Sequence, residues 1–193
     1  MFSGDFMRIL GVDPGTAIIG YSILDLENGE YKLIDYGCIY TDKDDDMPTR
    51  LMQIYDRLDT IIKLYKPVQM AIEDLYFFKN QKTVIKVGQA RGVINVVAKK
   101  NGLDIFDYTP LQVKMGVASY GRATKKQIQE MVKMILKISE IPKPDDAADA
   151  IAIAITHFNS NKNYLIPKVS MKKENLKNCS KISAEDFKKM LNK

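Results

Sequence analysis

The 193-residue chain has no tryptophan, one histidine and two cysteines. A single histidine rules out a histidine-rich metal cage. Cys38 and Cys179 lie far apart and in no metal-ligand spacing, so they read as free thiols of a reducing compartment. Neither cysteine has a candidate base nearby in sequence, so no nucleophilic pair stands out. A glycine-rich phosphate loop of the P-loop pattern is missing. No apolar run approaches the roughly 18 residues of a membrane span. The opening residues MFSGDFMRILG carry an acid where a secretory leader has basic residues, and no long apolar stretch follows. These absences lead us to expect a soluble, cytoplasmic protein with no membrane partner.

What is present is a core. Hydrophobic residues make up 46% of the chain, and the length suits one domain with short additions. The organisation expected is a leader at 1–6 (Met7 is an alternative start), a folded domain at 7–159 and a tail at 160–193. The tail holds nine lysines against Glu174, Glu185 and Asp186, a net +6. The whole chain is +5, so residues 1–159 carry about −1. The tail is either a solvated, partly disordered extension or a basic arm for a polyanion.

Residues 7–13, 18–25 and 31–40 read as strands, with NGE at 28–30 as a hairpin turn. Leu51, Ile54, Tyr55, Leu58, Ile61, Ile62 and Tyr65 recur at steps of three and four, which predicts a helix ending before Pro67. A strand at 68–74, a helix at about 83–100, a strand near 103–110, a short helix near 111–119 and a helix at 125–138 follow. The segment DDAADAIAIAITHF is ambiguous: its Ile–Ala alternation has the period of a strand, while its alanines and leading Asp cap favour a helix. The pattern predicts an α/β fold, a mixed sheet with helices packed on it.

Four acids sit where elements end or begin. Asp13 closes the first strand, Glu73 closes QMAIE, and Asp146 and Asp149 open the last helix, three apart and so on one face. Each has an ordinary explanation when taken alone: a turn residue before Pro-Gly, an ion-pair partner, a first-turn acid at the positive end of a helix dipole. Together they offer hard oxygen ligands. Convergent carboxylates repel one another unless divalent cations join them, and such cations support phosphodiester hydrolysis.

ILGVDPGTAIIGYSI, AIEDLYFFKN, GQARGV and DDAADAIAIAITH, in that order, resemble the RuvC-type Holliday junction resolvases from about Met7 to His157. The DPGT strand end also occurs in YqgF-type relatives; the GQARG helix combined with DAADA is more particular. The resemblance implies a ribonuclease H-like fold with a mixed five-stranded sheet and helices on both faces. It also implies a homodimer, a branch-migration helicase partner, and paired, symmetric cuts in four-way DNA junctions during recombination and repair. The expected cofactor is Mg²⁺, two ions per site, with Mn²⁺ as substitute. The family's acidic tetrad falls on Asp13, Glu73, Asp146 and Asp149, with Asp145 as an extra acid outside the D-A-A-D spacing. Two catalytic lysines fall on Lys114 and Lys125, with Lys126 adjacent. The junction-facing aromatic falls on Tyr76, followed by Phe77 and Phe78.

Basic residues surround that aromatic loop and recur later. Lys79, Lys82, Lys86 and Arg91, then Lys114, Arg122, Lys125 and Lys126, are candidate DNA contacts, with Tyr76 and Phe77 able to stack on unpaired bases. His157 reads as a packed histidine, with metal ligation as the alternative. Three other readings compete: an RNA-directed YqgF-type nuclease, which would not be expected to carry the loop at 76–82; a nucleotide switch of the actin and sugar-kinase type, which would need a second lobe; and a non-catalytic junction binder.

Overall fold

The computed structural model describes residues 6–74 and 81–160, all within one compact unit, Met1–Asn161. Tyr76, Phe77, Phe78, Lys79 and the tail beyond 160 lie outside the described residues, as does the side chain of Lys82.

Five strands and five helices follow in the order β1 (Phe6–Asp13), β2 (Ile18–Glu27), β3 (Glu30–Tyr40), α1 (Met47–Tyr65), β4 (Gln69–Glu73), α2 (Gln81–Lys100), β5 (Asp104–Tyr108), α3 (Pro110–Ala118), α4 (Lys125–Leu136) and α5 (Asp145–Ser160). The sheet order is β3-β2-β1-β4-β5. β1–β2 and β2–β3 are antiparallel, whereas β1–β4 and β4–β5 are parallel. The first strand begins at Phe6, which pairs with Glu27, one residue inside the expected leader.

Side-chain parity assigns the faces. Leu10, Val12, Ile23, Met70 and Ile72 join Ile54, Leu58 and Ile62 of α1 and Ala90, Ile94 and Val97 of α2 in one buried cluster. The alternate residues, Ile9, Gly11 and Asp13 on β1 and Ala71 and Glu73 on β4, face the other way, toward α5. Helices therefore cover both faces.

The segment of ambiguous period is a helix. Every residue of α5 from Ala150 to Phe158 is buried. The sheet lies under it and α3 over it, where Asn159 Nδ2 donates to the Gly116 carbonyl at 2.9 Å. A helix covered on both sides loses its polar stripe, so neither period shows cleanly. Its approach to the sheet is close enough to demand glycine. A Cβ on Gly11 would lie 2.2 Å from the Ala150 carbonyl oxygen, and one on Gly20 would lie 2.0 Å from that of Asp146.

Three of the other helices are started by local chemistry. Asp46 caps α1 by accepting from Thr49 N. Thr109 and Thr124 form reciprocal capping boxes with Gln112 and Gln127 at the starts of α3 and α4. Far from the α5 N-terminus, Arg8 locks β1 to β2 through a two-pronged pair with Asp25, at 2.7 and 2.8 Å, and donates to the Tyr65 carbonyl at the end of α1.

Candidate active site

The register brings the acids together. Val12 pairs with Ile72, so Asp13 and Glu73 stand side by side at the carboxyl ends of two parallel strands, both facing α5. Asp13 also pairs across to Gly20, the residue against which the backbone of Asp146 rests. The N-terminus of α5 is thereby seated over the end of β1. Asp146 and Asp149 follow on its first turns, both half-buried.

The electrostatics report this convergence. The Asp13 carboxyl is pushed up to about 8, first by burial and then by the charges of Glu73, Asp149 and Asp146, with Lys125 opposing. Glu73 is raised by burial and by Asp149, again against Lys125. Asp149 is raised by burial, although its hydrogen bond and charge interaction with Lys125 hold it down. Like charges are thus gathered on one rim without enough counter-charge.

Among the described residues, one lysine reaches them. Lys125 Nζ, from the first residue of α4, lies 2.9 Å from Asp149 and 3.4 Å from Asp145. Burial disfavours its ammonium, but the hydrogen bond and charge of Asp149 and the charge of Asp145 outweigh that and raise its pKa. Lys114 is half-buried on α3 beside Thr109, Pro110 and Gly121, and makes no ion pair with these acids among the described residues.

The donor set is four carboxylates, hard oxygen ligands suited to a hard divalent cation and unsuited to a soft one. Among the described residues, no three His, Cys, Asp or Glu side chains stand in ion-holding geometry as placed. The fit is therefore one of chemistry and of charge that calls for a cation.

Over residues 9–157 the chain matches the family model described as crossover junction endodeoxyribonuclease RuvC. The chain belongs to this family. It is 53% identical to the crossover junction endodeoxyribonuclease RuvC of Fusobacterium nucleatum, over 97% of this chain and all of the relative. It is 50% identical to that of Caldanaerobacter subterraneus, over 80% of this chain and 94% of the relative. Among solved structures, Thermus thermophilus RuvC superposes with a TM-score of 0.77 at 30% identity, covering 82% of this chain and 98% of that one. The T. thermophilus RuvC complex with a Holliday junction substrate gives 0.75 at 28% identity, covering 81% and 96%. The family's ribonuclease H-like sheet is the fold described above.

The other candidates fall in different places. Lys86, Arg122 and Lys126 are exposed, on α2, before α4 and on α4. Arg91 is committed within the fold: it pairs with Asp107 and lies 3.4 Å from Asp74. His157 is a packed residue, 1% exposed. Its Nδ1 meets the Tyr108 hydroxyl at 2.7 Å and its Nε2 meets Gln69 Oε1 at 2.8 Å. A neutral ring satisfies both, and burial lowers its pKa to about 4. Two neighbours of the rim stood outside the candidate site residues. Asp145 joins the Lys125 pair. Cys38 sits opposite Gly20 on β3, near enough that the charge of Asp146 adds to burial in raising its thiol pKa.

Proposed function

We propose that this chain is a structure-selective endonuclease that resolves four-way DNA junctions by paired, metal-dependent phosphodiester hydrolysis. The observation that carries this reading is the crowding of Asp13, Glu73, Asp146 and Asp149 at the ends of β1, β4 and α5, in a member of the RuvC family.

Asp13, Glu73, Asp146 and Asp149 would hold the divalent cation, which we take to be Mg²⁺, two per site. Bound there, it would supply an activated water and charge stabilisation at the phosphate. The chain's own work is electrostatic. Asp13 and Glu73 face the helix from neighbouring strand ends, so the sheet register holds their backbones side by side. Lys125 brings positive charge to the same rim, where negative charge develops as the phosphodiester is cut. Exposed Lys86, Arg122 and Lys126 offer phosphate contacts beyond it.

The assembly proposed is a homodimer. A four-way junction is roughly twofold, and two copies of one site related by a twofold axis cut it symmetrically. Helix α2 leaves Ile85 and Val96 exposed on one face with Gly92 between them in open space, two apolar contacts among the described residues that suit a second copy.

The test is a synthetic four-way junction with and without Mg²⁺. The wild-type chain is expected to leave two strand-symmetric nicks only when Mg²⁺ is present. Asp13→Asn is expected to bind the junction and leave it uncut; continued cutting by that variant overturns the site.

A further inference from the structure

Helices α4 and α5 are clasped by matching pairs of side chains. Lys125 and Gln129 stand four apart on α4, and Asp145 and Asp149 stand four apart on α5. Neighbours at that spacing share a helix face. Lys125 Nζ bridges Asp149 at 2.9 Å and Asp145 at 3.4 Å. Gln129 Nε2 donates to the other oxygen of Asp145 at 3.1 Å. Asp145 is thus held at both oxygens, one by an amide and one by the ammonium.

This arrangement does little for stability. The Lys125 side chain is 52% exposed and that of Asp145 is 62% exposed. Ion pairs this open to water are screened and weak. The arrangement matters for where the ammonium goes. Asp149 has two claimants, Lys125 and any cation drawn to the acidic rim. A cation that takes Asp149 deprives Lys125 of its nearer partner. A lysine with no second anchor then swings out on its flexible stem into solvent. Asp145 lies outside the D-A-A-D pair and is exposed, one turn nearer the start of α5.

We propose that Asp145 is a positioning residue: it retains the Lys125 ammonium at the rim when Asp149 turns to a cation. Gln129 holds the Asp145 carboxylate in the orientation this requires. The proposal deepens the nuclease reading above and rests on it.

The test uses the full chain, wild type and Asp145→Asn, with Asp145→Glu as the conservative variant. The first readout is the Lys125 ammonium signal by nitrogen-detected NMR, assigned by its loss in Lys125→Arg, with and without excess Mg²⁺ and with no DNA present. In the wild type the signal is expected to stay protected from water exchange in both states. In Asp145→Asn it is expected to be protected without Mg²⁺, through Asp149, and lost on adding it. The second readout is single-turnover junction cleavage at saturating Mg²⁺. Asp145→Asn is expected to be slower by about tenfold, with junction affinity unchanged, because a displaced catalytic group costs rate before binding. Asp145→Glu is expected to recover most of that rate and the protected signal. A wild-type signal that vanishes with Mg²⁺, or an Asp145→Asn enzyme as fast as wild type, overturns the proposal. A wild-type chain that leaves the junction whole refutes the nuclease reading instead, and the NMR comparison still decides whether Asp145 retains Lys125.

Discussion

At the C-terminal end of α5, His157 is buried against Phe106 and Tyr108, and both ring nitrogens have partners. At the N-terminal end of the same helix, Asp146 and Asp149 press on Asp13 and Glu73, with Lys125 as the cation that reaches them. One end resolves its buried polarity within the chain. The other leaves negative charge in excess and so keeps an appetite for something outside it. Paired polar groups stabilise, and unpaired ones cost stability. A fold that tolerates the second kind at one rim makes that rim its candidate working site.

The sharpest way to break this contrast is at the acids. Glu73→Gln is expected to slow junction cleavage by roughly 10³-fold, the scale seen when one transition-state-stabilising group is removed. The junction affinity of that variant is expected to match wild type in a gel-shift titration. Next in size is the contact that seats the helix. Gly20→Ala forces a Cβ toward the Asp146 carbonyl, and denaturant unfolding is expected to show a loss of about 3 kcal/mol, with cleavage reduced as well.

At the satisfied end, His157→Phe removes the hydrogen bonds to Gln69 and the Tyr108 hydroxyl and is expected to cost about 2 kcal/mol at pH 7. It also changes the pH profile. The folded ring titrates near 4 against an ordinary value of 6.5. Between those values the unfolded chain binds a proton that the folded ring refuses, so wild-type stability falls as pH drops through that window. The variant is expected to lose that slope in thermal melts from pH 7 to 4.

The smallest effect has the opposite sign. Folded Asp13 titrates near 8 against an ordinary 3.8. Between these values the folded state keeps a proton that the unfolded chain has released, so stability falls as pH rises. Metal-free Asp13→Asn is expected to be more stable than wild type at pH 8–9, by about 1 kcal/mol. Added Mg²⁺ is expected to raise the melting temperature of wild type more than that of the variant. Together the two melts distinguish an end built to be complete from one built to be completed.

Much of this was legible in the residues. Apolar runs bounded by turn signals, together with helix spacing, found nine of the ten described elements, α1 most plainly because it has one apolar stripe. The placing of acids at element ends was visible as a pattern, and the family resemblance singled out the four. The α5 segment resisted, since burial on both sides erases periodicity. The ion pairs were beyond reach. Whether Lys125 or Lys114 meets Asp149 depends on how α3 and α4 turn after β5, and nothing local encodes that. Arg91 read only as a candidate DNA contact, because Asp74 and Asp107 come near it through the parallel pairing of β4 and β5.

The missing side chains at Gly11 and Gly20 have a lasting effect. With no side-chain cushion there between helix and sheet, the gap from Asp13 to the start of α5 is set by the thickness of the main chain. Elsewhere in the core, a change in one side chain's size can be met by repacking of its neighbours. The ruler that spaces the acids has almost nothing in it that substitution can lengthen.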